Sequence, residues 1–242
     1  MAKSEHVPGT ASRWIYEFVR IGAKLIVPLV ARLETVGLEN VPRDGPVILA
    51  LNHISWADIP LASMRVPRVT HYMAKIELFQ VPVLGWIMRK CGAFPVRRGE
   101  SDREALRISE QVLKRGDVLV VFPEGHRSGS GQLLPGHPGI AYIALRSDAP
   151  VVPVAISGTE HTFHGFRYGP WRPHVTIRYG APYHLDLAGA KRKRDVLAPA
   201  ADQIMRSIAV LLPPAYRGAY ADLSSTAQVA KSTEASDTSP AS

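Results

Sequence analysis

The stretch Val47-Ile48-Leu49-Ala50-Leu51-Asn52-His53-Ile54-Ser55-Trp56-Ala57-Asp58-Ile59-Pro60 joins a strand to a helix. Its first five residues are apolar without alternation, the pattern of a strand buried on both faces. Pro60 is best tolerated in the first turn of a helix, so a helix is predicted to begin around residues 56–58. His53 then falls in the strand-to-helix turn, with Asp58 in the first turn beyond it. On one straight helix, positions five apart point about 140° away from each other. A bend between them lets the two side chains meet. A carboxylate holding one imidazole nitrogen leaves the other basic and aimed at a proton, as a general base for an alcohol requires. The plainer reading is a His that packs at the turn and an Asp that caps the helix.

Outward from this stretch, short apolar runs alternate with helical patterns. Strands are expected at 70–74, 92–96, 118–122, 151–157 and 174–179, and helices at 82–91, 101–115, 138–147 and 195–212. Pro95 favours an edge position for the strand at 92–96. Ser101 and Glu104 read as a capping box for the next helix, and Gly116 as its stop. The alternation predicts an α/β fold: a single domain whose mixed, largely parallel sheet is flanked by helices. Residues 223–242, rich in Ser, Thr and Ala, are expected to be a disordered tail.

Residues 11–34 form an amphipathic segment. Arg13, Glu17, Arg20 and Lys24 share one helical face, and Trp14, Phe18, Ile21, Leu25 and Leu29 cover much of the rest. Such a helix suits the headgroup layer of a membrane, with Arg13, Arg20 and Lys24 toward the headgroups. It also suits packing on the domain core. Pro28 is expected to kink it near its end. No uncharged stretch reaches the roughly 18–20 residues that cross a bilayer. The division expected is 1–34 for this segment and 35–222 for the main domain.

The 242 residues carry 29 Lys+Arg against 21 Asp+Glu, a formal charge of +8. That balance fits an anionic partner: nucleic acid, a phosphate-bearing substrate or a membrane surface. Nucleic acid is the weakest of these, because the basic residues are dispersed and no aromatic-rich basic strand occurs. The single cysteine, Cys91, excludes an internal disulfide framework, which makes an intracellular location the expectation. Cys91 lies in an apolar stretch and reads as a buried small hydrophobe. The first ten residues are polar and lack the pattern of a secretory signal.

Two further clusters carry chemistry. Phe122-Pro123-Glu124-Gly125-His126-Arg127-Ser128 follows the strand at 118–122, so it opens at the same carboxyl edge of the sheet as His53. Arg127 offers a fork for a phosphate, and Gly125 lets a ligand approach the backbone. A Glu124–Arg127 surface pair is the plainer reading. Gly92-Ala93-Phe94-Pro95-Val96-Arg97-Arg98 ends in two cations, which by themselves read as solvated. Other machinery is absent from the sequence: no G-x-S-x-G elbow in register, no complete dinucleotide or phosphate loop, and no H-E-x-x-H or paired-cysteine metal site.

Taken in order, these residues resemble the glycerolipid acyltransferase family, and in particular its bacterial 1-acyl-sn-glycerol-3-phosphate acyltransferases. The N/S-H-x-x-x-x-D block matches Asn52, His53 and Asp58. A glycine-led strand ending in Arg matches Gly92 to Arg98. F-P-E-G-x-R-S matches Phe122 to Ser128, and an apolar strand with a central proline matches residues 151–156 around Pro153. His126 stands where the family usually has Thr, and Arg97 where an acidic residue often precedes the Arg. The resemblance covers about residues 36–180. It implies His53 as general base, Asp58 as its orienting partner, and Lys75, Arg98 and Arg127 on the acceptor phosphate, with Glu124 and Gly125 shaping that site. It implies acyl-CoA or acyl-carrier protein as donor and membrane lipids as partners, with no metal and no cofactor. The expected product is phosphatidic acid from lysophosphatidic acid, made at the cytoplasmic face of the cell membrane by a peripheral protein. Alternatives are a related lysolipid acceptor, lyso-ornithine lipid among them, or a non-catalytic lipid-binding module.

Overall fold

A computed structural model describes residues 11–97, 102–162, 172–185 and 193–223. The chain runs α1 (Arg13–Val30), β1 (Arg32–Val36), β2 (Val47–Leu51), α2 (Asp58–Arg65), β3 (Thr70–Lys75), α3 (Pro82–Lys90) and β4 (Ala93–Val96). It continues through α4 (Arg103–Lys114), β5 (Val118–Val121), α5 (Gly139–Ser147), β6 (Val151–Ser157), β7 (His174–Tyr179) and α6 (Lys193–Leu211).

The seven strands form one sheet in the order β1-β7-β6-β2-β5-β3-β4. Every neighbouring pair is parallel except β6 with β7. The sheet is therefore mixed and largely parallel, as the alternating elements predicted. β2 lies at its centre and is buried along its whole length. Its period-2 geometry sends Ile48 and Ala50 to one face and Val47, Leu49 and Leu51 to the other. The first face packs on Ile108 and Val112 of α4, Ile140 and Ile143 of α5, and Ile204 and Ile208 of α6. The second packs on Leu61 and Met64 of α2 and on Val27 of α1. Both layers are apolar, which is why the strand carries no alternation.

β4 sits at the sheet edge, where Pro95 costs no interior ladder bond. Pro153 of β6 turns its backbone toward Gly180, whose N–H it accepts at 2.8 Å just past the end of β7. Its missing N–H thus falls where regular pairing has ended. The N-cap of α4 is Asp102, which accepts from Ala105 N at 3.0 Å. The expected capping box falls on Ser101, which lies outside the described residues. Gly116, at φ +78, stops the helix as expected.

The amphipathic segment differs from expectation in two ways. The helix ends at Val30, two residues after Pro28, and residues 32–34 already pair with β7 as part of β1. Its inward side is made of Tyr16, Arg20, Ala23 and Val27. Tyr16 meets Thr70 Oγ1 at 3.1 Å, and Arg20 pairs with Glu17 at 2.6 Å. Arg20 also donates to Val66 O at 3.5 Å and its side chain is 20% exposed, so it lies against the protein and not on the helix's outward side with Arg13 and Lys24. Among the described residues no helix is long and apolar enough to cross a membrane. Cys91 is buried, and burial raises its thiol pKa. The expected tail at 223–242 lies, apart from Leu223, outside the described residues.

Candidate active site

β2, β5 and β6 are adjacent and parallel, so their carboxyl ends open side by side. The bend expected after β2 occurs. His53 Nδ1 lies 2.8 Å from Asp58 Oδ2, with the His53 side chain 7% exposed and Asp58 fully buried. The same Oδ2 accepts Ile54 N at 2.7 Å and Ser55 N at 2.8 Å. Oδ1 accepts the hydroxyl of Thr159 at 2.6 Å. An oxygen already accepting two N–H groups requires the facing ring nitrogen to donate as well. Nδ1 therefore carries a proton, and in the neutral ring the lone pair belongs to Nε2. The ring stacks on Phe122 with centroids 4.1 Å apart.

Asn52 bridges to β6: its Nδ2 donates to Ile156 O at 2.9 Å, and its Oδ1 accepts Ile156 N at 2.8 Å. Glu124 bridges to the segment beyond β5. Its two oxygens accept His53 N at 2.8 Å and Leu134 N at 2.9 Å. Burial pushes the Glu124 carboxyl up to about 7, opposed by the N–H groups of Leu134 and His53. Gly125 adopts φ +71, and a Cβ there would lie 2.9 Å from the His137 ring. That site needs glycine on both counts.

Beside His53 lies an open cleft of about 620 Å³ lined by Ile54, Trp56, Arg127, Ser128, Glu160 and Tyr216 among others. The Arg127 guanidinium stacks 4.2 Å from the centre of the Trp56 ring, a cation held in place yet facing the cleft. Tyr216 donates to Glu160 Oε1 at 2.5 Å.

The expected residues divide as follows. His53 and Asp58 pair as expected and are buried, and Ile54 and Ser55, next in the chain to His53, line the cleft together with Arg127. Glu124 is 1% exposed and both its oxygens hold backbone N–H groups, so it shapes the turn and does not pair with Arg127. Lys75 ends β3 half-exposed, paired with Glu77 at 3.2 Å, and is not among the residues lining the cleft. Arg98 lies outside the described residues. The N–H groups of His53 and Gly125, natural candidates to stabilise an oxyanion, are engaged by Glu124 and by Phe122 O. Thr159, Trp56 and Tyr216 carry no sequence signal of their own. A lone Thr after a strand, or a Tyr 163 positions from His53, has no local pattern to mark it.

An acyltransferase family model matches residues 32–157. A 1-acyl-sn-glycerol-3-phosphate acyltransferase of Bacillus subtilis is 30% identical over 171 residues, 70% of this chain and 83% of that protein. A lyso-ornithine lipid O-acyltransferase of Pseudomonas aeruginosa is 37% identical over 120 residues, 49% of this chain and 45% of its own length. The crystal structure of the 1-acyl-sn-glycerophosphate acyltransferase of Thermotoga maritima superposes with a TM-score of 0.62 at 26% identity, covering 83% of this chain and 81% of the other.

The Thr159 bond is testable by stability alone. Thr159→Val keeps the shape but leaves Asp58 Oδ1 short of a donor in a dry site, a loss of about 1.5–3 kcal/mol. Urea unfolding should show that loss, and Thr159→Ser should recover most of it. An unchanged unfolding midpoint in the valine variant would show that the hydroxyl contributes nothing.

Proposed function

The chain belongs to the acyltransferase family, and on that premise we propose that it moves a fatty acyl group from a thioester onto the sn-2 hydroxyl of lysophosphatidic acid, giving phosphatidic acid. The observation that carries this reading is the 2.8 Å His53–Asp58 pair, next in the chain to Ile54 and Ser55, which line a cleft that also presents Arg127. His53 Nε2 takes the hydroxyl proton as the oxygen attacks the thioester carbonyl. A C–O bond forms, the carbonyl carbon becomes tetrahedral, and the C–S bond then breaks. The imidazolium returns its proton to the leaving thiolate of coenzyme A or acyl-carrier protein. Asp58 holds the ring in the tautomer this needs and stabilises the imidazolium. Arg127 holds the acceptor phosphate through charge-assisted bonds, Lys75 supplies further positive charge from the end of β3, and Arg98 is assigned to the same phosphate from its place in the sequence.

A second acceptor has support from one feature. Glu160 places a carboxylate in the same cleft as Arg127, an arrangement suited to a zwitterionic headgroup such as that of lyso-ornithine lipid. A panel of purified lysolipids separates the two readings.

The reaction is proposed to occur at the cytoplasmic face of the membrane, with α1 lying in the headgroup layer. The outward face of α1 supports its place in the headgroup layer: Trp14 is 88% exposed, Phe18 80%, Leu25 70% and Leu29 74%. Burying such a side chain is worth about 1.5–3 kcal/mol, so a row of them left in water is costly unless lipid covers it.

His53→Ala should abolish transfer without unfolding the chain, and Asp58→Asn should remove most of it by releasing the ring. Turnover at the native rate in His53→Ala would refute the mechanism. Arg127→Ala should raise the acceptor KM about tenfold or more and leave the donor KM nearly unchanged, from the loss of a charge-assisted contact. A change confined to the donor KM would move Arg127 off the acceptor phosphate. For the membrane contact, Trp14→Gln/Phe18→Gln/Leu25→Gln should melt like the native chain but fail to float with vesicles. Flotation equal to native would place the contact elsewhere on the surface.

A further inference from the structure

A second concave site lies where α1, α2 and the start of β1 meet. It encloses about 450 Å³ and shares no lining residue with the catalytic cleft. Four of its walls are cationic: Lys24 of α1, Arg32 of β1, Arg65 of α2, and Arg172 just before β7. Among the described residues that line it there is no carboxylate. Glu34, two residues along β1, is held by His174 at 3.6 Å and by Thr176 at 3.3 Å. Arg65 Nε is buried and has no hydrogen-bond partner. Arg172 donates to the carbonyl of Pro28, which ties the entry to β7 onto α1.

Like charges gathered in a concave wall repel one another and raise the local potential, and an anion that enters relieves both. A buried guanidinium N–H without an acceptor points the same way. The cleft is not purely polar, however. Val27 and Pro28 line it, and Leu25 and Leu29 on the same turns of α1 stand exposed beside it. A small soluble anion would use the charges alone. A phosphate carried on acyl chains would use the charges and the ridge together.

We infer that this cleft binds the phosphate headgroup of an anionic membrane lipid, at a site separate from the one that holds the acceptor. Arg32, Arg65 and Arg172 present forks that match phosphate oxygens, and Lys24 adds a point charge from the helix. A lipid seated there holds the foot of α1 at headgroup depth. This inference rests on the interfacial reading of α1, and the two fail separately: the apolar α1 variant tests binding to any bilayer, and the cleft variants test selectivity among bilayers.

The experiment measures partitioning of the full-length protein onto vesicles of phosphatidylcholine alone and of phosphatidylcholine mixed with phosphatidylglycerol. The native chain should prefer the mixed vesicles. Arg32→Gln/Arg65→Gln should lose about tenfold or more of that preference, from about fivefold per cation near an anionic surface. Because Arg65 is partly buried, Arg32→Gln/Arg172→Gln serves as a second pair, with thermal melting to confirm the fold. Arg43→Gln/Lys114→Gln removes the same charge from exposed positions elsewhere and should change the preference less than twofold. A native chain indifferent to phosphatidylglycerol overturns the site, and so do cleft variants that match the control pair. Inorganic phosphate that erases the preference at low millimolar concentration, at constant ionic strength, overturns the lipid assignment in favour of a free anion.

Discussion

The carboxylate of Asp58 is the node on which the site depends. It is fully buried, a position that is unfavourable for a carboxylate unless its lone pairs are filled. Four donors fill them: the His53 ring, the Ile54 and Ser55 N–H groups, and the Thr159 hydroxyl. Those donors follow the ends of β2 and β6, and Thr159 lies 101 positions from Asp58 in the chain. One side chain thus closes the β2 turn from the first residue of α2 and clamps the segment after β6. In such a network each bond is stronger for the others, and removing one leaves a buried acceptor short. The orientation of His53 follows from this satisfied carboxylate.

Glu124 does for β5 what Asp58 does for β6. Its oxygens take the His53 and Leu134 N–H groups, so the turn that carries the imidazole is held from two sides. Asn52 adds a third brace through the backbone of Ile156. Central parallel strands make this possible: their carboxyl ends open at one edge, where turns distant in sequence become neighbours. The imidazole sits on a rigid frame, while Arg127 faces the neighbouring cleft, stacked on Trp56.

The outer surface follows a different rule. α1 turns Tyr16, Ala23 and Val27 toward the protein and its largest apolar side chains outward. A helix packed only for the stability of a water-soluble core would be turned the other way. The four cations at its foot fit the same picture, with apolar ridge and basic cleft meeting at one helix. The cleft beside Ile54 and Arg127 and this basic cleft are lined by separate residues.

The sequence by itself determined the elements and their class. The unbroken run at β2 revealed a buried strand, Pro95 marked an edge, and Pro60 marked the first turn of a helix, with a bend that lets His53 and Asp58 meet. Those features are local, set by backbone sterics and side-chain periodicity within a few residues. Only the tertiary structure decided what depends on neighbours far along the chain. It gave Thr159 to Asp58, withdrew Glu124 from Arg127 and stacked Arg127 on Trp56. It also turned Arg20 inward and gathered Arg32, Arg65 and Arg172 into one cleft. A hydrogen bond or a charge cluster between residues a hundred positions apart leaves no periodic trace in the chain. It exists because the order of strands in the sheet brings their ends together.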